Sequence, residues 1–267
     1  MRAAHLHLFP GPNIHEDTFA LRLLGVEDPE ALRASLQGRG LPALPRVSAY
    51  FALRHRFSEE RLQSALEHGV RQVVLLGAGL DSFALRRPEV INEVRFVEVD
   101  HPASQQWKLD RLEALGLRTS GVTYVAVDFA TQDLATELAA VGVEVGAATF
   151  FTWLGVTQYI SAEASLNTLA FVARHGAGSE VVFDVIRPFD GLPPDERLIS
   201  SAARDSSAQR GEPWVSYFVP EELELRLRGL GFTSITRLTP EVAAPYYVGQ
   251  GAEVTPLTAW VLISARI

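Results

Sequence analysis

Val73-Val74-Leu75-Leu76-Gly77-Ala78-Gly79-Leu80-Asp81, followed by Val97-Glu98-Val99-Asp100, is the stretch that decides the fold. Four apolar residues running into Gly-x-Gly read as a buried parallel strand that stops in a tight turn. With no Cβ at Gly77 or Gly79, a ligand can come close to the backbone. The second apolar run, Val94 to Val99, ends in Asp100, 21 residues beyond Gly79. In nucleotide-binding α/β folds an acidic residue at the tip of the next strand accepts from ribose hydroxyls. The pair points to a nucleoside without saying which one.

Working outward, strands and helices alternate. Strands are expected at 73–76, 94–99, 122–127, 147–153, 180–185, 232–238 and 257–265. Between them come a helix N-capped by Ser58, a helix from Pro102 carrying Trp107, Leu112 and Leu115, and a helix carrying Leu134, Leu138 and Val141. Further helices are expected from Ala162 and from Pro220. This alternation predicts a mostly parallel sheet with helices on both faces, its ligand site outside the carboxyl ends of the strands. Asp128 tips the third strand, Asp184 the fifth, and Thr152-Trp153-Leu154 ends the fourth. Residues 1–57 read as an N-terminal cap, irregular and interrupted by Pro10, Gly11, Pro12, Pro42 and Pro45, with helical pieces near 17–24 and 29–37. Residues 58–267 form the main domain, with 187–216 as a lid insertion because so long a polar connection is usually a binding loop.

Bulk properties narrow the function. A chain of 267 residues, 47% hydrophobic and 21% charged, can bury a full core. The net charge of −8 disfavours nucleic acid as a partner. Zero cysteines exclude disulfides, a thiol nucleophile and thiolate zinc sites, and fit a cytoplasmic protein. No apolar run approaches the roughly 18 residues of a membrane span, and the N-terminus lacks a signal-peptide pattern. His5, His7, His15 and Glu16 are scattered through an irregular segment and are not read as a metal site. No Gly-x-Ser-x-Gly elbow supports a hydrolase.

The class of nucleoside follows from the turn. A dinucleotide fingerprint wants a third glycine, but the chain runs Leu80-Asp81-Ser82-Phe83, which sets a carboxylate where a pyrophosphate would lie. Neither Gly-Lys-Ser nor Gly-Lys-Thr occurs, so there is no P-loop. A carboxylate repels phosphate and tolerates the sulfonium and amine of S-adenosylmethionine. Asp81 also reads as a plain cap of the helix that follows.

The residues then show a specific resemblance. Leu75–Asp81, Glu98-Val99-Asp100-His101-Pro102, Val127-Asp128-Phe129 and Trp153-Leu154-Gly155-Val156-Thr157-Gln158-Tyr159 together resemble the leucine carboxyl methyltransferase family. The likeness is to its bacterial branch of S-adenosylmethionine-dependent O-methyltransferases. Phe51-Ala52-Leu53-Arg54-His55-Arg56-Phe57 looks like the family's arginine motif, and Gly211-Glu212-Pro213-Trp214 with Pro220-Glu221-Glu222-Leu223 like its lid-to-helix segment. The resemblance implies a class I methyltransferase (Rossmann-like) sheet of seven strands, the last antiparallel. It makes Gly77, Ala78 and Gly79 the cradle for the methionine part and Arg54 the partner of its carboxylate, with Arg56 as the alternative. Asp100 would hold the ribose, Asp128 and Phe129 the adenine, with Trp153 and Leu154 beside them. Leu154 stands where many members carry an acid, and the helix preceding Arg2-Ala3-Ala4-His5 looks short or absent.

The expected reaction is in-line transfer of the sulfonium methyl to an oxygen of a small molecule, with a protein C-terminal carboxylate and a non-catalytic binder as the other readings. An ionised carboxylate acceptor needs no general base, a hydroxyl does, and the sequence names no catalytic residue. Tyr159, Trp214 and Tyr217 are the candidates for the acceptor pocket, although Trp153 and Tyr159 also read as core aromatics.

Overall fold

The structure is a computed structural model that describes residues 1–9, 11–37, 43–129, 131–252 and 254–267. Pro10 and Pro42, two of the expected interruptions, lie outside the described residues. The strands are β1 (Gln72–Leu76), β2 (Arg95–Asp100), β3 (Val122–Ala126), β4 (Thr149–Trp153), β5 (Glu180–Ile186), β6 (Ser234–Arg237) and β7 (Trp260–Arg266). They form one sheet in the order β3-β2-β1-β4-β5-β7-β6. β7 runs antiparallel to both β5 and β6, and the other pairs are parallel. This is the class I methyltransferase arrangement the resemblance implied.

Alternation along β1 shows how the sheet is covered. Val74 and Leu76 face one side, joined there by Val97, Val99, Trp153 and Leu227. Val73 and Leu75 face the other, against Phe57, Leu62, Phe96 and Phe150. Every residue of β1 and β5 is buried, as a parallel strand between two helical layers must be.

The helices are α1 (Arg2–Leu8), α2 (Ala20–Leu24), α3 (Pro29–Gln37), α4 (Leu44–Glu67), α5 (Phe83–Arg86) and α6 (Pro88–Ile91). They continue as α7 (Pro102–Ala114), α8 (Leu134–Ala140), α9 (Ala162–Val172), α10 (Pro194–Gln209), α11 (Pro220–Leu230) and α12 (Pro240–Ala243). None is long and apolar enough to cross a membrane.

Three sequence expectations change. Residues 1–57 are largely helical where described, and the helix assigned to Ser58 begins at Leu44 and runs unbroken across position 57. Its buried residues Tyr50, Leu53 and Phe57, then Ser58, Leu62 and Ala65, recur at helical spacing, so burial carries the helix through Ser58. The Ser58 hydroxyl meets Thr152 Oγ1 on β4 instead of capping. Trp107, placed on the apolar face of α7, is 51% exposed; the buried face carries Gln105, Lys108 and Leu112. Lys108 Nζ lies 2.5 Å from Glu98 Oε2, an ion pair almost wholly buried behind β2. Removing one partner of such a pair costs about 3–5 kcal/mol. Finally, the 187–216 connection contains α10, a 16-residue helix with Pro194 in its first turn.

Candidate functional site

The glycine turn and the acid of β2 are joined directly. Gly77 and Ala78 both donate to Val99 O, at 2.8 and 3.1 Å, which folds the turn across the top of β2. Gly79 N then donates to Asp100 Oδ2 at 2.5 Å, and His101 N donates to Asp100 Oδ1 at 2.7 Å. Burial pushes the Asp100 carboxyl up, against the pull of these two donors. Each oxygen keeps a lone pair for a further donor. Gly77 and Gly79 have φ of +67° and +48°. A Cβ at Gly77 would lie 2.2 Å from Val156 Cγ2, whereas one at Gly79 would point into open space. Packing against Val156 therefore requires glycine at position 77, whereas at Gly79 only the left-handed φ favours it.

A cleft of about 200 Å³ opens beside this turn. Gly77, Ala78, Gly79, Arg54 and Leu154 line it, so the structure brings those five sequence candidates together. Arg2, His55, Asp81 and Gly155 line it too, and the sequence reading missed Arg2 and His55. Arg2 ties α1 to the turn. Its Nη2 donates to Leu80 O at 2.6 Å, its Nε to Asp17 Oδ2 at 2.6 Å, and Nη1 lies 2.8 Å from His55 Nε2. A guanidinium can only donate, so His55 Nε2 accepts and its Nδ1 carries the proton facing Asp81, 3.5 Å away. Burial first, then the charge of Arg2, lowers the His55 pKa well below its ordinary value. Burial pushes the Asp81 carboxyl up, but His55 and the charges of Arg2 and Lys108 outweigh it and hold the acid far below the usual range. Asp81 Oδ1 accepts from Phe83 N, the first residue of α5, at 2.7 Å, although Ser82 holds the N-cap position; Asp81 is also part of the cleft wall.

Arg54 sits where the two halves of the sheet diverge. Its Nη1 donates to Asp184 Oδ2 at 3.0 Å, and its guanidinium lies 4.2 Å from the Phe51 ring centroid. Asp184, in β5, also accepts from Gly155 N at 2.6 Å and Tyr50 Oη at 3.2 Å. Burial, followed by the Asp184 charge, raises the Tyr50 pKa well above its ordinary value. The sequence marked Asp184 only as the tip of the fifth strand. Tyr50 and Arg54, four apart on α4, share the helix face that meets it, which was the available signal. Leu154, where many members carry an acid, precedes Gly155, whose N–H bonds the Asp184 carboxylate.

A second cavity, of about 130 Å³, lies across Arg54 from the cleft, with Arg54 and Asp184 on its wall. Tyr159 and Trp214 line it, beside Tyr50, Phe51 and Trp260. Tyr217 is not on this wall; it packs edge-on against Phe189, with ring centroids 5.6 Å apart. The Trp153 side chain is wholly buried in the core, so only its backbone reaches the strand end. Asp128 and Phe129 do not line the glycine cleft. Asp128 Oδ2 accepts from Thr131 Oγ1 at 3.0 Å within the turn after β3, and Phe129 borders a groove shared with α8 and α9. Arg56, the alternative to Arg54, pairs with Glu60 on the exposed side of α4.

Residues 1–173 of the 267 match the family model described as leucine carboxyl methyltransferase. The chain belongs to the leucine carboxyl methyltransferase family. Among its relatives, a Bacillus subtilis protein named "Putative S-adenosyl-L-methionine-dependent methyltransferase YktD" is 32% identical over 198 residues, covering 70% of this chain and 62% of that protein. A Parafrankia protein with a name of the same form, Franean1_4929, is 36% identical over 139 residues, covering 52% of this chain and 44% of its own length. This family member thus spans less than two thirds of either relative. A crystal structure of a DUF574 family protein from Streptomyces avermitilis superposes with a TM-score of 0.58 at 17% identity, covering 95% of this chain and 98% of that one. That likeness is one of fold.

Proposed function

We propose that this chain is an S-adenosylmethionine-dependent methyltransferase that methylates an oxygen, carboxylate or hydroxyl, of a small molecule. The observation that carries the reading is the shared wall: Arg54 borders both the glycine cleft and the apolar second cavity. A cofactor in one and an acceptor in the other would meet beside it.

The residues present fit the cofactor. Open space lies where a Cβ of Gly79 would be, and Arg54 Nε is buried with no partner among the described residues. When bound, S-adenosylmethionine supplies an electrophilic methyl on sulfur. Gly77, Ala78 and Gly79 hold its methionine part by their backbone, and Arg54 takes the carboxylate through a fork suited to two oxygens. Asp100, which holds the Gly79 turn, would accept from the ribose hydroxyls; Asp128 and Phe129 lie outside the glycine cleft, and only the family resemblance assigns them the adenine. Trp153 contributes backbone alone, and Leu154 packs against the ligand. The apolar walls of the second cavity exclude water and orient the acceptor, from which much of the rate would come. A carboxylate acceptor arrives ionised and gives up no proton. For a hydroxyl acceptor the carboxylate on the wall is Asp184, already holding three donors.

Calorimetry with S-adenosylmethionine and S-adenosylhomocysteine tests the reading. A folded protein that binds neither, but shows a thermal shift with NADH, would overturn it. Arg54→Ala should weaken S-adenosylmethionine at least 10-fold more than an analogue lacking the carboxylate. Equal losses would remove Arg54 from that role.

A further inference from the structure

The second cavity has one feature the reaction does not account for. Trp214 Nε1 is buried and has no hydrogen-bond partner among the described residues. Leaving such a donor unpaired is destabilising, because it has given up its bond to water without gaining another. The side chain is not loosely placed. Val215 N donates to Gln158 O at 2.7 Å and Ser216 Oγ to Thr157 O at 2.7 Å, which pins the segment to the turn after β4. Phe218 N donates to Ile186 O at 2.8 Å, and Phe189 stands edge-on to the indole. Trp214 is thus held against the cavity with its N–H unsatisfied.

The rest of the wall describes what would satisfy it. Tyr50, Phe51, Tyr159, Trp214 and Trp260 supply five aromatic rings, which favour a flat ring over a flexible chain. The volume of about 130 Å³ limits the guest; a cavity of about 150 Å³ takes one benzene. The charges are uneven. Arg54 and Asp184 offset each other across 3.0 Å. Arg210 remains at the mouth, its side chain bonded among the described residues only to Ser206 Oγ, at 2.7 Å. The wall therefore includes one positive charge with no ion-pair partner among the described residues, and a tryptophan whose buried N–H is unpaired.

We propose that the acceptor is a small aromatic acid: a single flat ring bearing an ionised oxygen group, with an acceptor atom on Trp214 Nε1–H and its negative charge facing Arg210. The inference rests on the methyltransferase reading and narrows its substrate. It assigns Trp214 and Arg210 to substrate choice, by a hydrogen bond and by charge, apart from the residues that hold the cofactor.

The test is calorimetric, on full-length protein saturated with S-adenosylhomocysteine and titrated with benzoate, benzamide or a hexapeptide with a free C-terminal carboxylate. Benzoate should bind at least 10-fold more tightly than benzamide and more tightly than the peptide. Trp214→Phe, which keeps a ring and removes the N–H, should weaken benzoate 5- to 10-fold with S-adenosylhomocysteine affinity unchanged. Arg210→Gln, on the exposed end of α10, should remove the preference for benzoate over benzamide and serves if Trp214→Phe does not fold. Benzoate failing to bind, losing to the peptide, or binding Trp214→Phe as well as wild type would overturn the inference while leaving the cofactor reading intact. If wild-type protein did not take up S-adenosylhomocysteine at all, the methyltransferase reading would fall first and this inference with it.

Discussion

The glycine cleft and the cavity beyond Arg54 share a wall but are built differently. The cleft is built on one continuous turn from Leu75 to Asp81, braced from the next strand by Asp100 and flanked by Arg2, Arg54 and His55. The cavity is side chains drawn from α4, the turn after β4, β5, α10, the Trp214 segment and β7. A site built on one tight turn tolerates little change in that turn. One made of side chains on six elements can be refitted residue by residue. The glycine cleft is thus held by the geometry of one turn, and the second cavity by its composition.

That contrast can be broken most sharply at the two glycines. Gly77→Ala places a methyl against Val156 and forces a left-handed φ, which together should cost about 2–5 kcal/mol of stability and shift the melting temperature by many degrees. Gly79→Ala meets no protein atom, so its stability loss should be confined to about 1–2 kcal/mol of backbone strain, with the larger effect on S-adenosylhomocysteine affinity. If the two variants melted alike, the division between a packing glycine and a ligand glycine would be wrong.

Asp100→Ala comes next. It removes the acceptor for Gly79 N and, on the proposed reading, for the ribose. Cofactor affinity should drop by about 1–3 kcal/mol, measured by calorimetry, while benzoate binding to protein still saturated with cofactor product stays as it was. A parallel loss of benzoate would mean the two compartments are not separable.

Acid should act on the N-terminal cap that Arg2 ties to the cleft. Burial lowers the His5 pKa to about 4, and burial with the charge of Arg86 lowers that of His15 to about 3. In the unfolded chain both titrate near their ordinary 6.5. Below that pH the unfolded state binds protons the folded state refuses. Stability contributed by neutral, buried histidine is therefore complete above pH 6.5 and declines as pH falls toward 4. The limiting slope is about 1.4 kcal/mol per pH unit for each such group. Urea melts at pH 7, 6 and 5 check this, and a flat profile would mean that these histidines are solvated.

The smallest effect belongs to Tyr217. Its ring packs on Phe189 outside the cavity wall, so Tyr217→Phe should leave both cofactor and benzoate affinity within twofold, by the same titrations. A tenfold loss of benzoate would extend the acceptor site beyond the wall described.

Much of this was legible in the chain itself. Strand positions followed from apolar runs, and the Gly-x-Gly turn with Asp100 followed from spacing, because both depend on neighbours within a βαβ unit. The long α4 was misjudged because Ser58 has the chemistry of a cap, while the burial that carries the helix past it comes from the sheet. Trp107 was misplaced for a related reason: α7 buries Lys108 to meet Glu98, and side-chain hydropathy gives no warning of that. Trp153 looked like a ligand contact because it ends a strand, but its indole turns into the core.

The mostly parallel sheet, its helical layers, the Gly-x-Gly turn and the acid beside it are written in local pattern and short-range spacing. Only the tertiary structure decided that Arg54 pairs with Asp184, 130 positions away, that Arg2 reaches back to Leu80, and that Trp214 meets Trp260 around one cavity. Such contacts are fixed by packing between distant elements, and no periodicity within either element encodes them.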